Sequence, residues 1–288
     1  MIKKKAYAKL NLNLHINPDF KYKKETGYYP VRFINCELDL HDDLYFENQV
    51  GKITFSCSNK ELSNNENFVY KAAFQLKKEV NNPKLGAKII LKKRIPIKAG
   101  LGGGSSDAAV TIKTLLKLWK VNILPIQMAK IINSLGSDVF YFMQGGLCEV
   151  RGRGERVSKL ANRLPKLWLV LITPLISKPS TYWMYKNINL HNIGLNLNKY
   201  EQLIQNIINK KKIEILNSVH NDFEDLIKEK YPELRNIKKD LSDSGSIQEL
   251  VAGSGLSMVG FYLSKQSALI AFRNLQIKYK NIVWTYTK

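Results

Sequence analysis

The sequence predicts an α+β protein with two domains. Residues 5 to 16 alternate polar and apolar side chains, and the run DDLYFENQVGKITFSCS contains short β-type stretches separated by Gly and Asn, so the first part is mainly strand. Helical periodicity follows, and strand-like runs return at LWLVLITPLISKPST. This change comes after an Arg/Gly-rich turn, which places the preferred boundary between domains 1–155 and 156–288.

Apolar spacing predicts three helices in the first domain. The first precedes the turn signal NNP and has apolar residues at Phe68, Ala72, Leu76 and Val80. The second follows a glycine-rich segment, and its apolar face comprises Ala108, Ala109, Ile112, Leu115, Leu116 and Trp119. The third runs from about Pro125 to Leu135, with proline in its first turn. Farther along, residues 199–241 predict two or three amphipathic helices, followed by strand, loop, strand, helix and strand.

The composition is that of an ordinary folded protein, with 288 residues of which 44% are hydrophobic. There is no run of eighteen apolar residues and no signal-peptide core near the start, so we expect a cytoplasmic protein without a membrane segment. The cysteines have neither a zinc-type nor a CxxC spacing, which predicts free thiols at Cys36, Cys57 and Cys148. The histidines also lack ligand spacing, so no structural metal is predicted at His15, His41, His191 or His220.

The chain is strongly basic, with 45 Lys and Arg against 24 Asp and Glu and a formal net charge of +21. This balance favours an anionic partner such as nucleic acid, anionic lipid or a phosphorylated metabolite. The lysines are spread along a chain that is also rich in Asn and Ile, so we expect a solvated surface and no nucleic acid. A basic nucleic-acid-binding protein remains the alternative that is not an enzyme.

The segment PIKAGLGGGSSDAA, residues 96–109, concentrates glycine ahead of a helix. Glycine lets the backbone approach a ligand closely, and the first turn of a helix offers unpaired N–H groups to a phosphate. A simpler alternative is a turn and a capped helix, with the N-cap at Ser105, Ser106 or Asp107. One turn does not require all four glycines, so a phosphate-binding loop is the favoured interpretation of Gly100, Gly102, Gly103 and Gly104.

Three common phosphate-binding patterns do not fit this segment. A Walker A loop requires Lys after the glycines, and none is present. A dinucleotide-binding fingerprint requires a third Gly where Ser105 stands and an acidic residue about twenty positions later, where Ile126, Gln127 and Met128 occur. The HRD and DFG segments of protein kinases are absent.

The glycine-rich segment resembles the hallmark of the GHMP kinases, Pro-x-x-x-Gly-Leu-Gly-Gly/Ser-x-Ser-Ser-x-Ala-Ala. The matching residues are Pro96, Gly100, Leu101, Gly102, Gly103, Ser105, Ser106, Ala108 and Ala109. Two further segments of this superfamily occur in the expected order, AYAKLNLNLHI near the start and VAGSGLSMVGFY near the end. The latter contains a second glycine loop between strands, formed by Gly253, Ser254 and Gly255.

This resemblance implies a two-domain GHMP-kinase-like fold with the active site in the cleft between domains and with ATP binding and catalysis in domain 1–155. Within the superfamily, the segments GYYPVRFINCELDLHDDL and GSDVFYFMQGGLCEVRGRGE are most similar to the kinases of the non-mevalonate isoprenoid pathway. Those kinases phosphorylate the 2-hydroxyl of a cytidine diphosphate-linked methylerythritol. A homoserine or mevalonate type of kinase is the alternative enzyme. We expect a monomer or homodimer, with Mg²⁺ accompanying ATP and Ser106 as a candidate contact.

Asp138 is the candidate general base. It follows Gly136 and Ser137 at a predicted helix start, where the helix dipole favours an ionised carboxylate. Spacing alone leaves helix capping and catalysis open, and the resemblance to GHMP kinases implies that Asp138 accepts the proton of the substrate hydroxyl.

Lys9, Asn11 and Asn13 share one face of a predicted strand. An exposed strand face is the structural alternative to a binding site. The resemblance implies that Lys9 holds the catalytic aspartate and stabilises developing charge, and that Asn11 orients the substrate.

Three tyrosines are candidates for binding the cytidine. Tyr28 can stack on a base, and Tyr185 matches the second aromatic residue of the base sandwich in the family. Tyr29 stands where the family usually has histidine, which changes the group available for cytosine recognition. Packing in the core or at the surface is the alternative for each tyrosine.

Overall fold

The computed structural model describes residues 1–176 and 180–288. The chain forms two compact units, each discontinuous in sequence. Unit 1 comprises Met1–Ala8, Leu40–Ile95 and Gly102–Gly145. Unit 2 comprises Lys9–Asp39, Pro96–Leu101 and Gly146–Lys288.

Strands and helices occur throughout the chain, which confirms the predicted mixed class. The strands are β1 Ile2–Ile16, β2 Val31–Asn48, β3 Ile53–Cys57, β4 Ala87–Lys92, β5 Cys148–Gly152, β6 Arg156–Lys159, β7 Trp168–Ile172, β8 His220–Asn221, β9 Gln248–Val251, β10 Met258–Tyr262 and β11 Ile282–Tyr286. The helices are α1 Phe20–Thr26, α2 Phe68–Val80, α3 Gly103–Trp119, α4 Pro125–Leu135, α5 Asp138–Gln144, α6 Thr181–Asn187, α7 Leu197–Ile208, α8 Lys212–Asn217, α9 Glu224–Lys230, α10 Glu233–Asp243 and α11 Lys265–Leu275.

Unit 1 combines a small sheet with four helices. β4 pairs antiparallel with the C-terminal part of β2 and parallel with β3. α2 packs against α3 and α4, and α3 packs against α5. The helix bounds confirm the predictions: α2 begins at Phe68 and buries Ala72 and Leu76 of the predicted face, with Phe68 and Val80 half-buried. α4 begins at Pro125 and ends at Leu135, and its C-cap Gly136 has a φ of 128°. Proline suits a first helical position because its missing N–H would have no partner there.

One sheet of unit 2 contains a hairpin and a parallel pair. β5 pairs antiparallel with the N-terminal part of β2 and with β6. β1 pairs parallel with the two-residue β8, with Asn13 opposite His220. The Arg/Gly-rich segment is the turn between β5 and β6. The predicted boundary between residues 155 and 156 falls at this turn, and the division into domains 1–155 and 156–288 stays a prediction.

The second sheet of unit 2 has the strand order β11-β7-β10-β9, and neighbouring strands are antiparallel. α10 and α11 pack against it. This sheet confirms the predicted succession of strand, loop, strand, helix and strand. The segment in which two or three helices were expected forms α7, α8, α9 and α10, because two of these helices have only six and seven residues and fall below the length at which periodicity is readable.

The cysteines are free thiols, as predicted, with Cys36 and Cys148 buried and Cys57 half-buried. Burial raises the pKa of the Cys36 thiol to about 12, so this group stays protonated at neutral pH. Across residues 1–176 and 180–288, no helix combines the length and apolarity that crossing a lipid bilayer requires.

Candidate active site

The polar face of β1 is buried in unit 2. The exposed fractions are 5% for Lys9, 3% for Asn11 and 0% for Asn13. The alternative of an exposed strand face is therefore wrong. Charged and amide groups are costly to bury unless they have hydrogen-bond partners, so this face requires a polar environment.

A chain of hydrogen bonds links these side chains. Nζ of Lys9 donates to Oδ1 of Asn11 over 2.6 Å, and Nδ2 of Asn11 donates to Oδ1 of Asn35 over 2.7 Å. Asn35 lies on β2 and had no role in the sequence analysis. The Lys9 N–H donates to the carbonyl of Leu101 over 2.9 Å, which joins β1 to the predicted phosphate-binding segment. The predicted pair Lys9 and Asn11 is thus held in a fixed arrangement.

The second glycine loop contacts this pair. Gly253 has a φ of 58°, and a Cβ there would lie 2.8 Å from Oδ1 of Asn11 and 3.3 Å from Nζ of Lys9. The loop also meets the first glycine segment through backbone atoms, since a Cβ on Gly255 would lie 2.6 Å from the Ala99 carbonyl oxygen. Glycine is needed here because main chain and polar side chains approach the loop without space for a methyl group.

Asn221 of β8 supports the second glycine loop. Its Nδ2 donates to the carbonyls of Val251 and Gly253 over 2.9 and 2.7 Å, and its Oδ1 accepts from the Phe223 N–H over 3.0 Å. Sequence reasoning missed this residue, because β8 is too short for a periodic pattern and the loop it supports is distant in sequence.

The N-terminus of α3 differs from the capped helix considered in the sequence analysis. Its N-cap is Gly102, with a φ of 69° and no side-chain hydrogen bond, and Gly103 is the first helical residue. Ser105, Ser106 and Asp107 lie inside the helix, so the alternative in which one of them caps it is wrong. A left-handed glycine already turns the chain into the helix, which leaves the first N–H groups without a side-chain cap.

The glycines of this turn also fit closely packed surroundings in unit 1. A Cβ on Gly103 would lie 3.0 Å from Cγ2 of Ile95 and 3.1 Å from Nζ of Lys93. A Cβ on Gly104 would lie 3.0 Å from the ring of Phe68. Cβ atoms on these residues would require the neighbouring side chains to move by a few tenths of an ångström.

Asp107 belongs to a buried charged cluster with Lys93 and Asp42. Nζ of Lys93 lies 3.0 Å from Asp107 and 2.5 Å from Asp42, whose other oxygen accepts from the N–H groups of Arg94 and Ile95. Burial raises the pKa of Asp107 well above its usual value, against the attraction of Lys93. Burial lowers the pKa of Lys93, but attraction to the two carboxylates raises it overall. The cluster anchors α3 to the segment that follows β4.

Asp138 is the first residue of α5, which confirms the predicted helix start. Ser137 occupies the N-cap, so Asp138 is not the capping residue. The side chain is half-buried, and within the described part of the chain it has no hydrogen-bond or ion-pair partner. The positive end of a helix attracts negative charge, and a carboxylate without a partner is available to a ligand.

The three tyrosines have different surroundings in unit 2. Tyr28 is 44% exposed. Tyr29 is 3% exposed, its hydroxyl accepts from Nζ of Lys23 over 3.2 Å, and its ring meets that of Phe20 edge-on. Tyr185 is half-buried and packs edge-on against Phe223 at 5.0 Å between ring centroids. The ring of Tyr28 is therefore the most exposed of the three, whereas the ring of Tyr29 is buried and packs against Phe20.

The predicted residues thus form two groups. In unit 2, the structure brings together Lys9, Asn11, the segment Pro96–Leu101 and the loop Gly253–Gly255. In unit 1 it places the uncapped start of α3, with Ser105 and Ser106, and it also places Asp138 at the start of α5. Lys93, Asn35 and Asn221 were missed, because buried partner residues have no local sequence pattern.

Residues 67–146 match the family described as GHMP kinases N terminal domain. A 4-diphosphocytidyl-2-C-methyl-D-erythritol kinase of Listeria monocytogenes serotype 4b (strain CLIP80459) is 36% identical over 263 residues, covering 91% of this chain and 86% of the relative. A kinase of the same name from Clostridium beijerinckii is 32% identical over 287 residues, covering 99% of this chain and all of the relative.

Solved structures show the same likeness. A crystal structure of 4-(cytidine 5'-diphospho)-2C-methyl-D-erythritol kinase is similar with a TM-score of 0.84, 27% identity and coverage of 99% of both chains. A mevalonate kinase of L. major has a TM-score of 0.76 at 15% identity and covers all of this chain and 96% of its own, which is a likeness of fold.

Proposed function

This chain belongs to the 4-diphosphocytidyl-2-C-methyl-D-erythritol kinase family, and we propose that it transfers the γ-phosphoryl group of ATP to the 2-hydroxyl of 4-diphosphocytidyl-2-C-methyl-D-erythritol. The relatives match nearly the whole chain, so we assign the reaction class of the family to this chain. The structural observation that carries the proposal is the buried cluster of Lys9, Asn11 and Gly253, in which charge, amide and bare backbone converge.

We place the ATP phosphates at the start of α3. The N-cap is a glycine, so no N-cap side chain bonds the N–H groups of Gly103, Gly104 and Ser105 at the start of the helix. Such N–H groups and the helix dipole attract phosphate oxygens. Side chains on Gly103 and Gly104 would make tight contacts with Ile95, Lys93 and Phe68, which favours glycine at this surface. Phosphoryl transfer depends mainly on this kind of positioning and charge stabilisation.

Mg²⁺ is part of the proposal as the ion that accompanies ATP and neutralises phosphate charge. A hydroxyl group is a suitable oxygen contact for this ion, and Ser106 near the N-terminus of α3 has one. Its exposed fraction is 2%, and its N–H donates to the Gly102 carbonyl over 2.9 Å, so the residue is held in place.

We assign Asp138 as the group that accepts the proton of the substrate hydroxyl. The carboxylate has no competing partner in the described residues and lies at a helix start, so it is available to the substrate. We assign Lys9 as the positive charge that stabilises the negative charge developing during transfer. Burial strengthens this electrostatic effect, because water no longer screens the Lys9 ammonium.

Asn11 has spare hydrogen-bonding capacity for a substrate. Its Oδ1 accepts from Lys9 and one N–H of its Nδ2 donates to Asn35, so these two bonds fix the orientation of the amide group. An amide has two donor hydrogens and two acceptor lone pairs, so one of each remains. We propose that Asn11 uses them to orient the hydroxyl groups of the substrate.

We assign the cytosine ring to Tyr28, with Tyr185 as the second aromatic contact. The exposed Tyr28 ring can stack on a base at little cost, whereas the Tyr29 ring is occupied by Phe20 and Lys23. Tyr29 thereby holds the segment that presents Tyr28. We also propose that the protein is cytoplasmic.

The test is purified protein with ATP, Mg²⁺ and a panel of alcohols containing the cytidine substrate, homoserine and mevalonate. We expect ADP release with the cytidine substrate, a new phosphate on its 2-oxygen by NMR, and inhibition by cytidine nucleotides. Turnover of homoserine or mevalonate without the cytidine compound would refute the assigned substrate. Absence of turnover with every alcohol would leave a binding protein as the better description.

A further inference from the structure

Three side chains that the kinase chemistry does not use meet where β1 ends and β8 begins in unit 2. They are His15, His220 and Asp222. Parallel pairing sets Asn13 opposite His220 and brings the end of β1 beside this cluster. One ring nitrogen from each histidine and one carboxylate oxygen of Asp222 all lie within 4.8 Å of one another.

His15 is buried with no hydrogen-bond partner on either ring nitrogen among the residues described, and its exposed fraction is 1%. Buried polar groups are almost always paired, because an unpaired group loses its bonds to water without compensation. Its ring stacks on that of His220 at 5.0 Å between centroids, a contact that leaves the edge nitrogens unsatisfied. An unpaired buried imidazole points to a ligand at this position.

The other two side chains are oriented by their own bonds. Oδ1 of Asp222 lies 2.7 Å from Nε2 of His220, and Oδ2 accepts from the N–H of Ile16 over 2.7 Å and from that of Gly194 over 3.4 Å. A carboxylate bound to one ring nitrogen fixes a histidine and favours metal binding at the other nitrogen. In the described chain, Nδ1 of His220 has no hydrogen bond.

A cavity of about 360 Å³ gives access to His15. Three arginines also line it, and each has a carboxylate partner: Glu155 lies 3.6 Å from Arg156, and Glu149 lies 2.8 Å from Arg32 and 2.7 Å from Arg151. An anion would have to compete with these carboxylates. The imidazoles of His15 and His220 are better suited to a cation that accepts nitrogen ligands.

We propose that His15, His220 and Asp222 bind one divalent transition-metal ion of the zinc type. Two imidazoles and a carboxylate suit Zn²⁺, Fe²⁺ or Co²⁺, whereas Mg²⁺ prefers oxygen ligands alone. Two ligand atoms that each lie about 2.1 Å from a zinc ion are at most about 4.2 Å apart. The three candidate ligand atoms lie within 4.8 Å of one another, so small side-chain rotations would bring them to the distances that zinc requires. Asp222 then serves as a direct ligand or, through His220, as the carboxylate that orients it.

The ion would fasten the end of β1 to β8, whose second residue is Asn221. Asn221 holds the loop of Gly253 through two carbonyl bonds. The proposed site is therefore structural, and it is separate from the Mg²⁺ that accompanies ATP. Its occupancy is measurable without turnover, so the test does not depend on the assigned reaction.

The test uses untagged protein stripped of metal with a chelator and then titrated with Zn²⁺ or Co²⁺ in the presence of millimolar Mg²⁺. We expect one equivalent retained through gel filtration, visible Co²⁺ absorption bands, and a rise in melting temperature with Zn²⁺. His15→Ala and His220→Ala should each weaken binding at least about 10-fold. His191→Ala is the matched control, because His191 is exposed and outside the cluster.

Failure of the wild-type protein to retain an equivalent of either metal would overturn the proposal, and would leave ordered water as the partner of His15. The proposal also fails if binding persists in both cluster variants or is lost instead in Cys57→Ser. Should His15→Ala not fold, His220→Ala and Asp222→Asn carry the same test, since His220 is at the edge of the cluster with 16% of its side chain exposed.

Discussion

Gly253 leaves no space for a side chain beside Asn11, because a Cβ at residue 253 would lie 2.8 Å from Oδ1 of Asn11. Gly253→Ala must therefore move the loop or displace the amide from Lys9. A φ of 58° adds strain, and we expect a loss of about 1–3 kcal/mol in the free energy of unfolding. We also expect kcat/KM to fall at least about 10-fold through misplacement of Asn11. Urea unfolding and steady-state kinetics measure the two effects.

Gly245→Ala is the control for this prediction. Gly245 has a φ of 88°, and a Cβ there would meet nothing within 4 Å. It should show similar backbone strain with activity near that of the wild type. Equal losses of kcat/KM in the two variants would mean that strain, and not contact with Asn11, limits the Gly253 variant.

Asp138→Asn separates catalysis from helix stability. Asparagine keeps the shape of the side chain but cannot accept the proton, so kcat should fall roughly 10²- to 10⁴-fold with ATP affinity preserved. Single-turnover rates and ATP titration provide the measurement. Glu233→Gln removes a carboxylate from the same first position of α10 and controls for the helix dipole. An Asp138→Asn enzyme within a few-fold of wild type would refute the assigned base.

Lys9→Met tests whether the lysine and Asp138 act as one catalytic unit. Methionine has a similar length but lacks the charge, so kcat should fall to an extent comparable with Asp138→Asn. The double variant should be far less than additive, because removing either member already abolishes the shared function. Strictly additive losses in the rate constants would assign the two residues independent roles.

Gly102→Ala tests the phosphate-binding start of α3. The methyl group at a residue with φ of 69° should distort the N-cap and weaken ATP binding at least about 10-fold by calorimetry. Gly51→Ala places the same change at a φ of 66° in another turn of unit 1. That control should lose stability but retain ATP affinity. If both variants bind ATP as the wild type does, the phosphates do not lie at this helix start.

Tyr28→Ala tests the cytidine contact. Loss of a base-stacking ring should weaken substrate binding by about 1–3 kcal/mol and leave ATP affinity unchanged. The ring is 44% exposed, so stability should change little. Tyr182→Ala removes another exposed ring, 64% exposed, as a control. Equal weakening of substrate and ATP would indicate a folding defect.

Glu149 should give unit 2 an acid-sensitive contribution to stability. Burial alone would raise its pKa, but hydrogen bonds from three side chains lower the pKa from 4.5 to about 2. The donors are Arg151, Tyr200 and Arg32. A lowered pKa means that the unfolded chain binds more protons, so this stability is present above about pH 4.5 and is lost as pH falls towards 2.

Urea unfolding of Glu149→Gln against wild type measures this contribution. The difference in unfolding free energy should be at most about 3 kcal/mol near pH 6, less after solvent screening, and should shrink as pH falls. Glu201→Gln removes the exposed second partner of Arg32 and should cause little change at any pH. A difference that does not depend on pH would mean that packing, not ionisation, is the contribution of Glu149.

Apolar spacing and helix-end preferences predicted the helices whose bounds depend mainly on nearby residues. The apolar spacing from Phe68 and the proline at Pro125 place two helices at their observed bounds. The alternative of a Ser or Asp N-cap for α3 was wrong, because N-cap preferences favour these residues and do not anticipate a left-handed glycine. Asp138 was placed correctly because Gly136 ends one helix directly before the next.

The surroundings of the site required the tertiary structure. The sequence shows that Lys9 and Asn11 share a face, but it does not show that the face is buried or that Asn35 completes the hydrogen bonds. The cluster of His15 with His220 depends on a two-residue strand that has no periodic pattern. Such contacts depend on which strands pair, and pairing is decided by the whole chain.

The close approach of Gly100 and Gly255 has a consequence for biosynthesis. A Cβ on Gly100 would lie 2.0 Å from the Ala252 carbonyl oxygen, so the two loops take their final shapes only against each other. On the ribosome, the segment around Gly100 emerges long before its counterpart, and closing so long a loop is slow. The nascent kinase therefore carries an unfinished phosphate-binding segment through most of its translation, and polypeptides released before residue 255 have no complete site.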